Sequence, residues 1–324
     1  MEKYFELQLQ DPRAVVGLGL GIGLGIGLSV GLNWAADARS VLHWMTRRRR
    51  GTSPRSGDER VLLATRIHCR NASETPNLEP LSRLMRRSAS CGCDLAIAVG
   101  IEGELGSDLY AGVKAEKEKV ATAGSEIAVL PVQPWGQFVP ALHALLGYAA
   151  TEGYEMILFQ SVEIETSPET LRALVDHLDL DGGDLVVGVA IQGHEFKPGT
   201  NVLTGRTTPW NTLALWNTQE LAKTGFLGVA EGWVRTVGDE GETVIAGGVE
   251  EVTAISAAQS LSPSRRARAK LLKVPGITWE TQFKDAERRA WHERKMRSKL
   301  SRAQAQLSVL KLPTAYVEHI DLTG

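Results

Sequence analysis

Cysteine is scarce in this chain of 324 residues: Cys69, Cys91 and Cys93 make an odd three. So sparse a set argues against a disulfide scaffold and favours a reducing compartment. Cys91-Gly92-Cys93 has no second ligand pair, which speaks against a structural zinc site. Neither sign of charge is in excess, the formal net charge being -2. Bulk electrostatic binding of nucleic acid is therefore not expected. No internal repeat is visible. The glycine run between residues 17 and 31 lacks the G-x-G-x-x-G spacing and follows no strand, so it is not a dinucleotide loop.

What is present divides the chain. After a tail over residues 1–13, residues 14–36 carry no charge and exceed the roughly 20 residues that span a bilayer. They predict a single transmembrane helix, with Trp34 placed for the interface and small-residue faces at Gly17/Gly21/Gly25 and Gly19/Gly23/Gly27/Gly31. A cleaved targeting segment is the alternative, because Ala36-Asp37-Ala38 has the small-x-small form of a cleavage site. Lys3 and Arg13 precede the run, whereas Arg39, Arg47 to Arg50 and Arg55 follow it. The arginine side, and with it the rest of the chain, is expected on the cytosol or an equivalent organellar interior. Residues 37–60 read as a basic linker, rich in Gly, Ser and Pro towards its end.

From residue 61 the pattern changes to short apolar runs separated by helical spacing. Strands are predicted at 61–65, 94–99, 127–130, 156–159 and 184–189. Helices are predicted at 78–90, 113–122, 135–150 and 168–178, the last with Ser167 as N-cap and Pro168 in the first turn. This alternation implies an α/β domain over 61–274 with a mostly parallel sheet and crossover helices. Residues 192–209 read as a long polar covering loop. A strand at 213–216, a short helix at 218–224 capped by Asn217, and a last strand at 269–274 follow. Residues 275–324 read as a cationic helical tail, able to clamp a diphosphate, lie on anionic lipid or simply be solvated.

The stretch 154–178, YEMILFQSVEIETSPETLRALVDHL, is an apolar strand, a short polar loop and a capped helix. Ligands of open α/β sheets bind beyond the carboxyl ends of strands, which makes this loop a place for chemistry. The stretch resembles the metal-binding strand end of GT-A-fold nucleotide-diphospho-sugar transferases, of the inverting family-2 kind. There the strand ends in Asp-x-Asp and is followed by Pro-x-x-Leu. Here the motif is degenerate, with Ser161-Val162-Glu163 ahead of Pro168 and Leu171. PWNTLALWNTQELAKTGF, at 209–226, resembles a second family segment, and Glu250-Glu251 falls where the family has a Glu-Asp pair opening a helix.

The resemblance implies a transferase that moves a sugar from a nucleotide-sugar donor to an acceptor it does not specify, and the run at 14–36 implies that it is membrane-anchored. Its bilayer partner is lipid, through the N-terminal helix, and no nucleic acid is involved. Glu251 matches the catalytic position, with Glu250 beside it, and the helix N-terminus is expected to keep Glu251 ionised at neutral pH. Ser161 and Glu163 contact substrate, and Glu163 offers a lone carboxylate to a weakly bound divalent cation, Mn or Mg. Arg66, His68 and Arg70, after the first strand, face the nucleotide, and Trp210 and Asn211 face the sugar, with burial of Trp210 in the core equally open. The processive Gln-x-x-Arg-Trp motif is absent, so polymer synthesis is not implied. The alternative is a degenerate transferase fold acting as a binding or scaffolding module at a membrane.

Overall fold

Runs of apolar residues too short for helices find burial as strands flanked on both faces, and here they assemble one large sheet. The computed structural model describes residues 60–69, 76–90, 94–120, 125–237, 243–262, 267–275, 277–279, 290, 293 and 296–323. The predicted transmembrane run, nearly all of the linker, Arg70, Cys91 and Cys93 lie outside the described residues. Among the described residues no helix is long and apolar enough to cross a membrane.

The chain begins with β1 (Val61–Ile67), α1 (Glu79–Ser90), β2 (Asp94–Gly100), α2 (Gly103–Lys119), β3 (Ile127–Val132) and α3 (Val139–Thr151). It continues through β4 (Met156–Gln160), β5 (Ile164–Glu165), α4 (Pro168–Asp176), β6 (Asp184–Val189), β7 (Gly199–Val202), β8 (Leu213–Asn217) and α5 (Thr218–Ala222). A hairpin of β9 (Glu231–Val237) and β10 (Thr243–Gly247) leads to α6 (Glu250–Leu261), β11 (Arg268–Lys273), β12 (Thr278–Trp279), α7 (Lys299–Leu310) and β13 (Tyr316–Asp321).

Nine strands form the main sheet in the order β3-β2-β1-β4-β8-β6-β11-β13-β7. β8 runs against its neighbours β4 and β6, and β7 against β13; the other pairings are parallel. The expected mostly parallel α/β sheet is thus present. Because β8 is reversed, its first residues lie at the same end as the last residues of β4, with Leu213 opposite Gln160. The loops after β1 and β4 and the segment before β8 therefore converge at one end of the sheet.

Two helices differ from their sequence expectation. α2 starts at Gly103, ten residues before the predicted 113, although Gly103 and Gly106 are poor helix formers. Packing decides, since Leu109 and Val113 are buried and Gly106 sits where any Cβ would strike the backbone of Ile101. α3 starts at Val139 rather than at Trp135, because Gly136 adopts a positive φ of 61° in the preceding turn. Its first turn is closed from afar: the Glu231 carboxylate accepts the N–H groups of Gln137, Phe138 and Val139. α4 follows expectation, with Thr170 N–H donating to Ser167 Oγ at 3.3 Å.

The sheet does not end at residue 274. β13 pairs with β11 on one side and β7 on the other, so part of the predicted tail and part of the predicted covering loop are sheet. The signal was the alternation of Tyr316, Val317, Glu318 and His319, out and in by turns, which the cationic stretch before it obscured. The loop after β4 also holds a short strand, β5, paired with β12. That pairing fastens the 161–166 loop to the segment after β11.

Candidate active site

The acid pair enters the fold through a strained turn. Gly248 has φ 87° and Val249, a β-branched residue, has φ 63°. That region disfavours such side chains and is retained mainly where surrounding structure enforces it, often at functional sites. The β9–β10 hairpin leads into this turn, which aims Glu250 and Glu251 inward at the start of α6. They are only 6% and 5% exposed.

Asn211, just before β8, binds both acids. Its backbone N–H donates to Glu251 Oε1 at 2.6 Å and its side-chain amide donates to Glu250 Oε1 at 3.3 Å. Its own Oδ1 accepts the Trp216 indole N–H at 2.9 Å. Arg66, at the end of β1, completes the group with Nη2 3.5 Å from Glu250 Oε1. Four sequence-predicted site residues are therefore linked in one chain of contacts, Arg66 to Glu250, Glu250 to Asn211 and Asn211 to Glu251. The predicted ionisation of Glu251 is corrected: burial first, then the charge of Glu250, push its carboxyl up to about 7. Lys299 and the Asn211 N–H pull the other way without overcoming this. The helix N-terminus, worth up to about 1 kcal/mol at exposed sites, is outweighed by desolvation.

α7 covers the pair. Lys299, Arg302, Ala303 and Gln306, spaced to share one helix face, turn inward. The Arg302 guanidinium donates through Nη1 to Gly247 O, and Gln306 Nε2 donates to Gly248 O at 2.9 Å. The Lys299 ammonium lies 3.1 Å from the centre of the Trp210 ring. His194 stacks on the same ring at 3.6 Å and is held neutral, its pKa lowered to about 3 chiefly by burial. Trp210 Nε1 donates to Gly205 O at 2.9 Å. Of the two expectations for Trp210, core burial is the one observed and sugar stacking is corrected, because its ring is buried between His194 and Lys299.

The loop after β4 sits next to this group, since Ser161 N–H donates to Thr212 O at 2.9 Å, one residue from Asn211. The Ser161 hydroxyl donates to the Glu163 carboxylate. Glu165 points away, paired with Arg87 at 2.6 Å. Among the described residues no group of three or more His, Cys, Asp or Glu is placed to hold a metal ion. The residues present do not fit the divalent cation assigned to Glu163: one carboxylate, already accepting a hydroxyl proton, leaves too little negative charge for such a cation.

His68 stacks on Trp135 at 4.6 Å, a contact allowed because a Cβ on Gly100 would strike both side chains. Thr65 Oγ1, Trp135 Nε1 and Arg66 Nη1 are buried without hydrogen-bond partners. Two of these three uncommon unsatisfied groups belong to β1 and the third follows β3. Arg66 also passes over the Phe138 ring at 5.5 Å. Sequence reasoning missed Trp135, Thr65 and His194, which carry no local signal. It reached Lys299 and Arg302 only as part of a charged tail, although the 299, 302, 306 spacing marks a helix face.

No family model matches the chain, and no curated protein matches it. Solved structures do. A mannosyltransferase from Pyrobaculum calidifontis in complex with GDP-Man and Mn2+ superposes with a TM-score of 0.50 at 13% identity, over 86% of this chain and 75% of that one. A mannose-1-phosphate geranyltransferase from Thermus thermophilus matches over 81% of this chain and 74% of that one, at 11% identity and a TM-score of 0.29, too low to carry weight. The α/β fold of the chain is similar to that of this Pyrobaculum mannosyltransferase.

Proposed function

We propose that this chain is an inverting glycosyltransferase that moves a hexose from a nucleotide sugar to an acceptor hydroxyl. The observation that carries the reading is the Glu250–Glu251 pair, tied by Asn211 to the sheet end and adjoining the loop after β4. Glu251 takes the proton as the acceptor oxygen attacks the anomeric carbon, and the bond to the diphosphate breaks with its electrons leaving on the nucleoside diphosphate. A base with a pKa near 7 suits that task at neutral pH. Asn211 positions the pair. His68 and Trp135 face the nucleoside, Arg66 a phosphate, and Ser161 and Glu163 the sugar. Residues 14–36 anchor the enzyme, with its domain on the cytosolic or equivalent side.

A binding module of the same fold is the second reading, favoured by the burial of both acids under α7. The test incubates the full chain with GDP-Man, the donor of the Pyrobaculum enzyme's complex, and with UDP-hexoses. Thermal shift reads binding and released nucleoside diphosphate reads turnover. A ligand bound only by the folded state raises apparent stability by mass action. The transferase reading expects both signals with at least one donor. Stabilisation without release, with every donor and acceptor tried, favours the binding module, and neither signal overturns the reading.

A further inference from the structure

A departing nucleoside diphosphate carries concentrated negative charge, and preorganised positive charge is the largest single source of its stabilisation. The loop after β4 does not provide a metal site, as Ser161 occupies one motif position and donates its hydroxyl to the motif's remaining carboxylate, Glu163, while Glu165 is paired with Arg87. Charge must then come from side chains. We propose that Lys299 and Arg302 of α7, with Arg66 of β1, neutralise the donor's diphosphate in place of a metal ion. This rests on the transferase reading.

Placement comes first. Lys299 lies against Trp210, the neighbour of Asn211, whose N–H holds Glu251. Arg302 reaches Gly247 at the turn that introduces the acid pair. Both cations thus descend from α7 onto the site while Arg66 approaches from the sheet. The two acids act electrostatically on Arg302, and Lys299 acts on Glu251, so all lie within one electrostatic neighbourhood. Arg66 contributes a second observation. Its Nη2 faces Glu250, whereas its Nη1 is buried without a hydrogen-bond partner among the described residues. A guanidinium with an unused donor beside an occupied one is matched by phosphate oxygens, and Lys adds a point charge. Glu163, Glu250 and Glu251 oppose these cations. An anion arriving among them is held if the cations turn from the acids towards it.

The test uses the full chain and isothermal titration, first with GDP and UDP, then with the monophosphate and nucleoside of whichever binds. Each titration is run in EDTA and again in Mn2+. The expected result is diphosphate binding that differs less than about twofold between the two conditions, well inside the tenfold worth of one charged contact. Lys299→Gln should weaken the diphosphate about tenfold, the worth of one lost charged hydrogen bond, and leave the nucleoside unchanged. Arg302→Lys should retain more diphosphate affinity than Arg302→Gln, with melting temperatures checking that the Gly247 contact is not the cause. Diphosphate binding that vanishes in EDTA and returns with Mn2+ overturns the inference but not the transferase reading. Equal losses for diphosphate and nucleoside in Lys299→Gln also overturn it. If neither nucleotide nor nucleoside binds, both readings fall.

Discussion

Glu251→Gln should make this protein more stable at alkaline pH. In the folded state the Glu251 carboxyl titrates at about 7, against an ordinary value of 4.5. Between those values the folded chain keeps a proton that the unfolded chain has released. The stability tied to that proton is full below about pH 4.5 and is lost as pH rises through 7. At about 1.4 kcal/mol for each pH unit between the two values, ionised Glu251 costs the fold roughly 3 kcal/mol at pH 8. Glutamine removes that cost and still offers Oε1 to the Asn211 N–H, although a charge-assisted bond becomes a neutral one, a loss of about 1 kcal/mol. The net gain is about 2 kcal/mol at pH 8, or roughly 4–8 °C in melting temperature for a domain of this size. Near pH 4.5 the variant should equal the wild type or fall slightly below it. Paired thermal and urea melts across pH 4.5 to 8.5 check this. A variant whose stability difference from wild type does not change with pH would refute the reasoning.

Other consequences are checked as directly. Turnover at saturating donor should rise with pH through about 7, because only unprotonated Glu251 can accept the acceptor's proton; a pH–rate profile flat from 6 to 8 would count against that role. Asn211→Ala leaves the Trp216 indole N–H and one face of Glu250 without a partner, and should cost about 1–3 kcal/mol in urea melts. An Asn211→Ala protein as stable as wild type would show that the network contributes little. Residues 14–36 should keep the full chain in the membrane pellet at alkaline pH, and release into the supernatant would remove the proposed anchor.

The strands were legible because buried parallel strands read as continuous apolar runs, which is why Met156–Gln160 and Asp184–Val189 were found close to their observed bounds. β7 and β13 were not, since an exposed edge strand and its alternating neighbour have no such run. The acid pair was placed by motif, and its position on α6 could be read from sequence. Its titration could not, because burial under α7 depends on a helix that comes well after α6 in the chain. Sequence left Trp210 open between core and sugar for a related reason: the partners that close its two faces, His194 and Lys299, are 105 residues apart from one another. Metal binding was judged from one carboxylate at the right position, and only the side-chain geometry showed Glu163 engaged by Ser161.

The central claim is that Glu251 takes a proton during sugar transfer, and the rate of nucleoside diphosphate release by Glu251→Gln tests it most directly. With donor affinity measured in parallel, the account predicts unchanged binding and turnover lowered by about 10²–10⁴-fold, the usual contribution of a general base. Turnover equal to wild type at matched donor occupancy would contradict it.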